Sequence, residues 1–395
     1  MGKLPMSGLD NFKNFCALLA LIFGIFGFTA QAGLIYSQDE FKIELSGYLQ
    51  TQGIHAEEFF QEPFDLGQSR LRLSLDAALP NRVKIELSQN LETSYGGALH
   101  NSVYQFAQDL KPATYFQWHK RLIEEEDFWL DWEIYRAYLS FENEKIKFIL
   151  GRQRIALGNA FFYSPLDIFN PQSPISLEPE ERLGVDGASL EFNLAPNRDL
   201  IFGYGLGEVI DESRFALYYK FLVNSYDIGV LSARIYQDWV FGASFFGYIK
   251  EGGFYGEATY TLPEPGENYF RATIGYQYAF SNSWILILEY YHNDGVLQST
   301  PEDMELLLLN QDGLITMNRN FLGVSAGAEI TPLLRFNSGI IYDIDGSSFF
   351  IAPSIIYSAP YSITLQAGMQ LFAGDGEGEF SWLPNLLWAR IRWDF

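Results

Sequence analysis

The chain has 395 residues, with 26 Lys and Arg set against 49 Asp and Glu, a formal net charge of −23. That balance argues against nucleic acid as a partner, since binding it needs phosphates neutralised by Lys and Arg. Aromatic residues make up 17% of the chain and cysteine occurs once, which excludes a disulfide framework, a thiolate metal cluster and a Cys-x-x-Cys-His haem attachment.

At the N-terminus, Lys3 and Lys13 supply positive charge, Cys16 to Phe28 form an apolar run, and Ala30-Gln31-Ala32 is a small-x-small cleavage pattern. This predicts a secretory signal peptide over residues 1–32. A membrane-anchor helix needs about 20 apolar residues, and the run falls short of that. Cys16 has no small residue before it, so it does not read as a lipoprotein cysteine. The mature chain, 33–395, is then free of cysteine, and no later segment reads as a transmembrane helix.

Strand patterns follow. Phe41, Ile43, Leu45 and Leu49 alternate with Lys42, Glu44, Ser46 and Gln50. Leu71, Leu73, Leu75, Ala77 and Leu79 alternate with Arg70, Arg72, Ser74 and Asp76. After the turn Pro80-Asn81-Arg82, Val83, Ile85 and Leu87 alternate with Lys84, Glu86 and Ser88. Period-2 patterning of this kind marks strands with one apolar and one polar face. Further strands are predicted near 128–141, 145–156, 185–194, 199–207, 214–222, 226–235, 239–249, 253–262, 268–280, 283–293, 320–331, 333–343, 348–358, 360–372 and 386–395.

The total is about 18 strands, with 16 as the alternative. Short turns alternate with long loops at 51–68, 95–127, 157–184, 294–319 and 373–385. Bacterial transmembrane barrels have an even strand number, short turns at the periplasmic end and long loops outside. With the N-terminus in the periplasm, every long loop falls outside. The expected fold is therefore all-β, one closed transmembrane antiparallel β-barrel domain over 33–395. A soluble β-sandwich is the competing fold.

The segment 151–187 departs from alternation. Ile146, Phe148 and Leu150 read as lipid-facing, and Arg152 and Arg154 continue their parity. Arginine against lipid costs about 2–4 kcal/mol at the midplane, so a β-bulge at Gly151 is predicted, turning both guanidinium groups into the lumen. There they would meet Asp167, Glu178 or Glu180. The loop 157–184 carries several prolines and the apolar Phe161, Phe162, Leu166, Ile168 and Phe169. Its length and lack of periodicity suit a functional loop, and it is expected to fold inward as a constriction.

Gly151-Arg152-Gln153-Arg154, Gly158 and Pro165-x-Asp167-x-Phe169-Asn170-Pro171 resemble a signature of Gram-negative outer-membrane porins, including the alginate-export type of 18-stranded, substrate-selective porin. The match spans 151–171, and the rest of the likeness is barrel pattern. The resemblance implies a channel. Porins of the alginate-export type are implied to line the pore with many arginines. This chain has a smaller basic arc and acidic outer loops, so alginate is not carried over.

The chain ends Trp388-Ala389-Arg390-Ile391-Arg392-Trp393-Asp394-Phe395. Trp393 and Phe395 close an apolar face that resembles the C-terminal signal by which the barrel assembly machinery recognises outer-membrane proteins.

Strand parity sorts the lumenal charges. Lys42, Arg70, Arg72, Lys84, Arg136, Arg390 and Arg392, joined by Arg152 and Arg154, are expected to form a basic wall, with Glu44, Asp76, Glu86 and Asp394 interspersed. Glu191, Glu257, Glu289, Glu329 and Asp343 are expected to form an acidic wall, offset by Lys220, Arg271 and Arg335. Such a transverse field orients dipolar solutes and sets ion selectivity. Acidic outer-loop residues (Glu57, Glu58, Glu62 and Asp65; Glu124 to Asp127; Glu302, Asp303 and Glu305) read as solvated surface or as sites of divalent-cation bridging to lipopolysaccharide.

These features point to passive diffusion of small hydrophilic or charged solutes. The alternative is a barrel sheath around a separate electron-carrying cytochrome. No enzyme is expected. The histidines, His55, His100, His119 and His292, have no metal-ligand spacing, and no Gly-x-Ser-x-Gly elbow occurs. No cofactor or metal is expected. Outer-membrane lipid, lipopolysaccharide and the assembly machinery are the expected partners, with a homo-oligomer or a periplasmic partner left open.

Overall fold

A computed structural model describes residues 33–395 except 39–40, 60–61, 110–113, 172, 183, 208, 210–211, 265, 297–315 and 377. The expected signal peptide, including Cys16, and the acidic residues Glu302, Asp303 and Glu305 lie outside the described residues.

In chain order the strands are β1 (Gly33–Gln38), β2 (Phe41–Phe59), β3 (Glu62–Leu79), β4 (Val83–Tyr95), β5 (His119–Glu125), β6 (Phe128–Glu142) and β7 (Ile146–Gln153). Then come β8 (Val185–Ala195), β9 (Arg198–Gly205), β10 (Arg214–Val223), β11 (Tyr226–Ile235), β12 (Asp238–Ile249) and β13 (Gly252–Leu262). The rest are β14 (Tyr269–Ala279), β15 (Trp284–Asn293), β16 (Asn320–Thr331), β17 (Leu334–Asp343), β18 (Ser348–Ala359), β19 (Ile363–Ala373) and β20 (Leu386–Asp394). Between β4 and β5 lie a 3-10 turn (Gly97–His100) and a short α-helix, α1 (Ser102–Asp109).

Each strand of the ring pairs antiparallel with its neighbours, and β20 closes on β2 from Tyr48↔Asp394 to Ala56↔Leu386. β1 and β5 stand outside the ring, which makes a closed antiparallel barrel of 18 strands. Closure leaves no unpaired ring edge. β1 pairs with β2 below the end of β20. β5 pairs with the upper half of β6, above the point where β7 leaves it.

Alternation sets the two faces. Outward positions carry exposed apolar side chains, among them Leu217, Val230, Phe241, Ile274, Leu288 and Ile340, with Trp239, Tyr260 and Trp284 also outward. A continuous apolar exterior of this kind is unsuited to water and suited to hydrocarbon. Among the described residues no helix is long and apolar enough to cross a membrane.

Two loop expectations need correction. Residues 51–59 and 62–68 are not loop: β2 and β3 run on as a paired hairpin to Phe59↔Glu62. β20 stops opposite Ala56 and β4 opposite Gly67, so the hairpin tip stands above its neighbours. Ile54 and Leu66 of this hairpin take inward positions yet are apolar, because they pack against Ala98, Leu99 and Tyr104, and this breaks the alternation. The stretch 95–127 also has structure. Ala98, Leu99 and Tyr104 pack with Ile54, Leu66 and Trp129, and α1 and β5 follow. Asn101 caps α1, its side-chain oxygen accepting the Tyr104 N–H at 3.0 Å.

Candidate functional site

The third outer loop, residues 154–184, leaves β7 and turns into the barrel. Its first limb packs by apolar burial: Ile155, Leu157, Leu166, Ile168 and Phe169 form one cluster with Ala216, Tyr218, Leu231, Ala233 and Val240 of β10, β11 and β12. Phe162 and Tyr163 enter a second cluster with Tyr291, Phe321, Ile341, Phe350, Phe372 and Phe380. The wall carries glycine where the loop presses closest. A Cβ at Gly323 would lie 2.4 Å from the Phe162 ring, and one at Gly203 would lie 3.0 Å from Phe169. Phe161 stays exposed and packs edge-on to Phe162.

Two wall carboxylates take up the limb's backbone donors. Glu257 accepts the N–H groups of Asn159 and Ala160 and the Ser164 hydroxyl. Glu289 accepts the N–H groups of Phe161, Phe162 and Tyr163 at 2.7, 3.0 and 3.0 Å, and the Tyr255 hydroxyl at 2.9 Å. Glu257 is 4% exposed and Glu289 1%. Both were expected on an open acidic wall. They are instead buried beneath the loop, because a carboxylate collects N–H groups that a loop leaves unpaired.

Asp343 is also fully buried, at the outer end of β17. It accepts from Asn318, Gly346, Ser348 and the Glu379 backbone, and so joins three outer loops rather than facing the lumen. Glu191 and Glu329 sit on inward positions opposite Ile201 and Arg335 respectively.

The second limb, 173–182, meets the arginine arc. Glu178 accepts from Gln50 at 2.6 Å and from Arg70 at 3.2 Å, with Arg390 3.6 Å away. Glu181 pairs with Arg72 at 2.8 Å and accepts the Tyr48 hydroxyl. Arg136 donates to the Arg182 carbonyl and Arg390 to the Leu177 carbonyl. Burial pushes the Glu178 and Glu181 carboxyls up, but the guanidinium groups outweigh it: Arg70 and Arg390 hold Glu178, and Arg72 and Arg70 hold Glu181, below the usual carboxylate value. Arg182 returns to the first limb, pairing with Asp167 and donating to the Asn170 carbonyl. The loop therefore runs round the inner wall from β10 through β20 to β3 and β6, and closes on itself. Glu180 is exposed.

Lys42 and Lys84 face inward near the short-turn end, Lys42 paired with Glu44. Arg392 lies over the Tyr48 ring and pairs with Asp394. Arg154 is exposed beyond the end of β7.

Arg152 differs from the expectation. Pairing runs unbroken through Gly151 on both sides, Tyr138↔Gly151 and Gly151↔Gly187, so no bulge turns it inward. Gly151 instead takes a φ of +124°, which favours glycine. Arg152 keeps the outward parity of Leu150 yet is only 2% exposed. It pairs with the opposite residue, Asp186, at 2.8 Å, and donates to the carbonyls of Ile134 and Phe116 and to Thr114. The Phe116 N–H donates to Asp186 at 2.8 Å. The segment 114–118 thus covers the pair, which fills the join where the β6 edge passes from β7 to β5. The register shift lies on β6, opposite Ser88 and Gln89. It leaves Tyr135 beside Arg72 and Arg136.

The four histidines each lie near a side-chain oxygen of a neighbour, His55 with Asp65, His100 with Asp127, His119 with Asp131 and His292 with Asp294. Among the described residues no group of three potential ligands could hold a metal ion.

No family model and no curated protein matches the chain. Solved structures do. OccAB1 of Acinetobacter baumannii aligns over 93% of this chain and 99% of its own, with TM-score 0.58 and 9% identity. OccAB4 of the same organism aligns over 91% and 99%, with TM-score 0.57 and 9% identity. OccAB3 aligns over 89% and 99%, with TM-score 0.53 and 11% identity. The chain has the fold of the OccAB porins. At this identity the likeness is one of fold.

Proposed function

We propose that this porin-fold chain is an outer-membrane channel for passive diffusion of small hydrophilic or charged solutes, with the third loop setting the size limit. The observation that carries the reading is the inward loop, held from both sides of an 18-strand barrel. A sheath for a cytochrome would need a clear bore, and a loop packed round the inner wall works against that. The apolar exterior supports residence in a Gram-negative outer membrane, with lipid and lipopolysaccharide around it. The C-terminal Trp393 and Phe395 support delivery by the barrel assembly machinery. The refolded protein in a planar bilayer is expected to give discrete conductance steps and a measurable reversal potential in a salt gradient. A correctly folded barrel that inserts and carries no current would overturn the reading.

A further inference from the structure

The two limbs of the third loop are held by different physics. The first is anchored by buried apolar side chains and by two wall carboxylates that bind its backbone. The second offers only Ile175 and Leu177 to apolar clusters, both partly buried. Gln370 donates to the Ile175 carbonyl at 2.8 Å, and Arg136 and Arg390 donate to the Arg182 and Leu177 carbonyls. The side-chain hold is charge: Arg70–Glu178 at 3.1 Å, Arg72–Glu181 at 2.8 Å and Arg390–Glu178 at 3.6 Å. These carboxylates keep some contact with solvent, with 15% and 20% of their side chains exposed.

We propose that Glu178 and Glu181 are a latch that holds the second limb against Arg70, Arg72 and Arg390, and that the latch sets the width of the pore. The inference rests on the channel reading above. The three arginines then act as positioning residues for the loop. Their charge is spent on the loop's own carboxylates, and Arg70 is shared further with Glu92 at 2.7 Å. Releasing the limb widens the path and at the same time uncovers positive charge.

That coupling separates the latch from a passive basic wall. Glu178→Gln with Glu181→Gln removes the hold and leaves the arginines bare. Unitary conductance is expected to rise and the reversal potential to move towards anions. Arg70→Gln, Arg72→Gln and Arg390→Gln together also remove the hold. Conductance is again expected to rise, but the reversal potential moves towards cations. Arg72→Glu opens the pore, and adding Glu181→Arg restores the wild-type conductance, since the pair is re-formed with its signs exchanged.

Unchanged conductance in the glutamate double variant, with its folded state shown by heat-modifiable gel migration, would overturn the latch. If that variant does not fold, the Arg72→Glu series decides. The pairs are in direct contact and mostly buried, so salt screens them weakly and reversal of sign is the sharper probe. An Arg72→Glu barrel of wild-type conductance, or one that Glu181→Arg does not restore, overturns the proposal. A wild-type barrel without any current would instead defeat the channel reading, before any variant is made.

Discussion

The Arg152–Asp186 pair is the most demanding contact in the wall, since both groups are nearly dry and sit at outward positions. Removing one partner of a buried pair leaves an unpaired charge and typically costs about 3–5 kcal/mol, whereas replacing both with apolar groups is often neutral. Arg152→Gln is therefore expected to lower the urea midpoint sharply, and Arg152→Met with Asp186→Leu to lose much less. Equal losses in the two variants would show that the backbone contacts to Ile134 and Phe116, and not the charge pair, hold this join.

Asp167 carries a pH dependence. Burial pushes its carboxyl up, and Arg182 and Arg154 offset this only in part, leaving it at about 7 against an ordinary 3.8, with Glu257 adding a small upward push. A raised acid binds its proton more tightly in the packed loop than in the released loop. Packing is thus favoured by acid and weakens as pH rises from about 4 to about 7, with no further change above. Glu178 and Glu181 have the opposite sign. Their values are depressed, so their hold is complete above the ordinary 4.5 and is lost as pH falls below it. Protease cleavage within 154–184 should rise between about pH 5 and 7 in the wild type, above the range in which Glu178 and Glu181 let go, and Asp167→Asn should flatten that rise. A rise that persists in Asp167→Asn assigns it to another group.

At the scale of elements, the first limb hangs on two wall carboxylates, and Glu289 holds the stretch around Phe162. Glu289→Ala leaves the N–H groups of Phe161, Phe162 and Tyr163 and the Tyr255 hydroxyl without their acceptor. Each dry donor costs about 1–3 kcal/mol, so the limb is expected to detach and admit protease near Phe161. The barrel itself should keep its heat-modifiable migration, because the strand pairing of β15 does not use that carboxylate. A loop as resistant as wild type would mean that the apolar cluster around Phe162 suffices.

The elements missed in the sequence have physical reasons too. β5 reads His-Lys-Arg-Leu-Ile-Glu-Glu, and its register shifts between Arg121 and Ile123, so strict alternation is absent. β1 is six residues long and abuts the expected cleavage site. The α1 helix is eight residues long and leans on the packing of Leu99 and Tyr104 more than on its own propensity.

For the whole molecule, closure depends on the β2–β20 join. Gly47 donates to the Phe395 carbonyl at 2.8 Å, and Phe395 donates back at 2.9 Å. A Cβ on Gly47 would lie 2.3 Å from the Arg72 carbonyl oxygen and 3.0 Å from the Phe395 ring. Gly47→Val is expected to slow assembly and reduce the heat-modifiable fraction. Gly53→Ala, on the same strand with nothing within 4 Å, should assemble normally. Equal assembly of the two would show that the join tolerates displacement.

A closed antiparallel barrel of about 18 strands, with 16 left open, and the inward or outward direction of most side chains could be read from the sequence alone; the ring of 18 was settled by the pairing. Both follow from period 2, which is local to each strand and repeated round a closed sheet. The direction of Arg70, Arg72 and Arg390 is of that kind. What those side chains do was decided by tertiary structure. Glu178 lies 108 residues from Arg70, and Glu289 lies 127 residues from Phe162. Parity says that a charge faces the lumen; it carries no information on whether a distant loop has already taken that charge. Arg152 shows the converse. Its outward parity was legible, but the cover that makes it tolerable comes from Thr114 and Phe116, on a segment that only the folded barrel brings beside it.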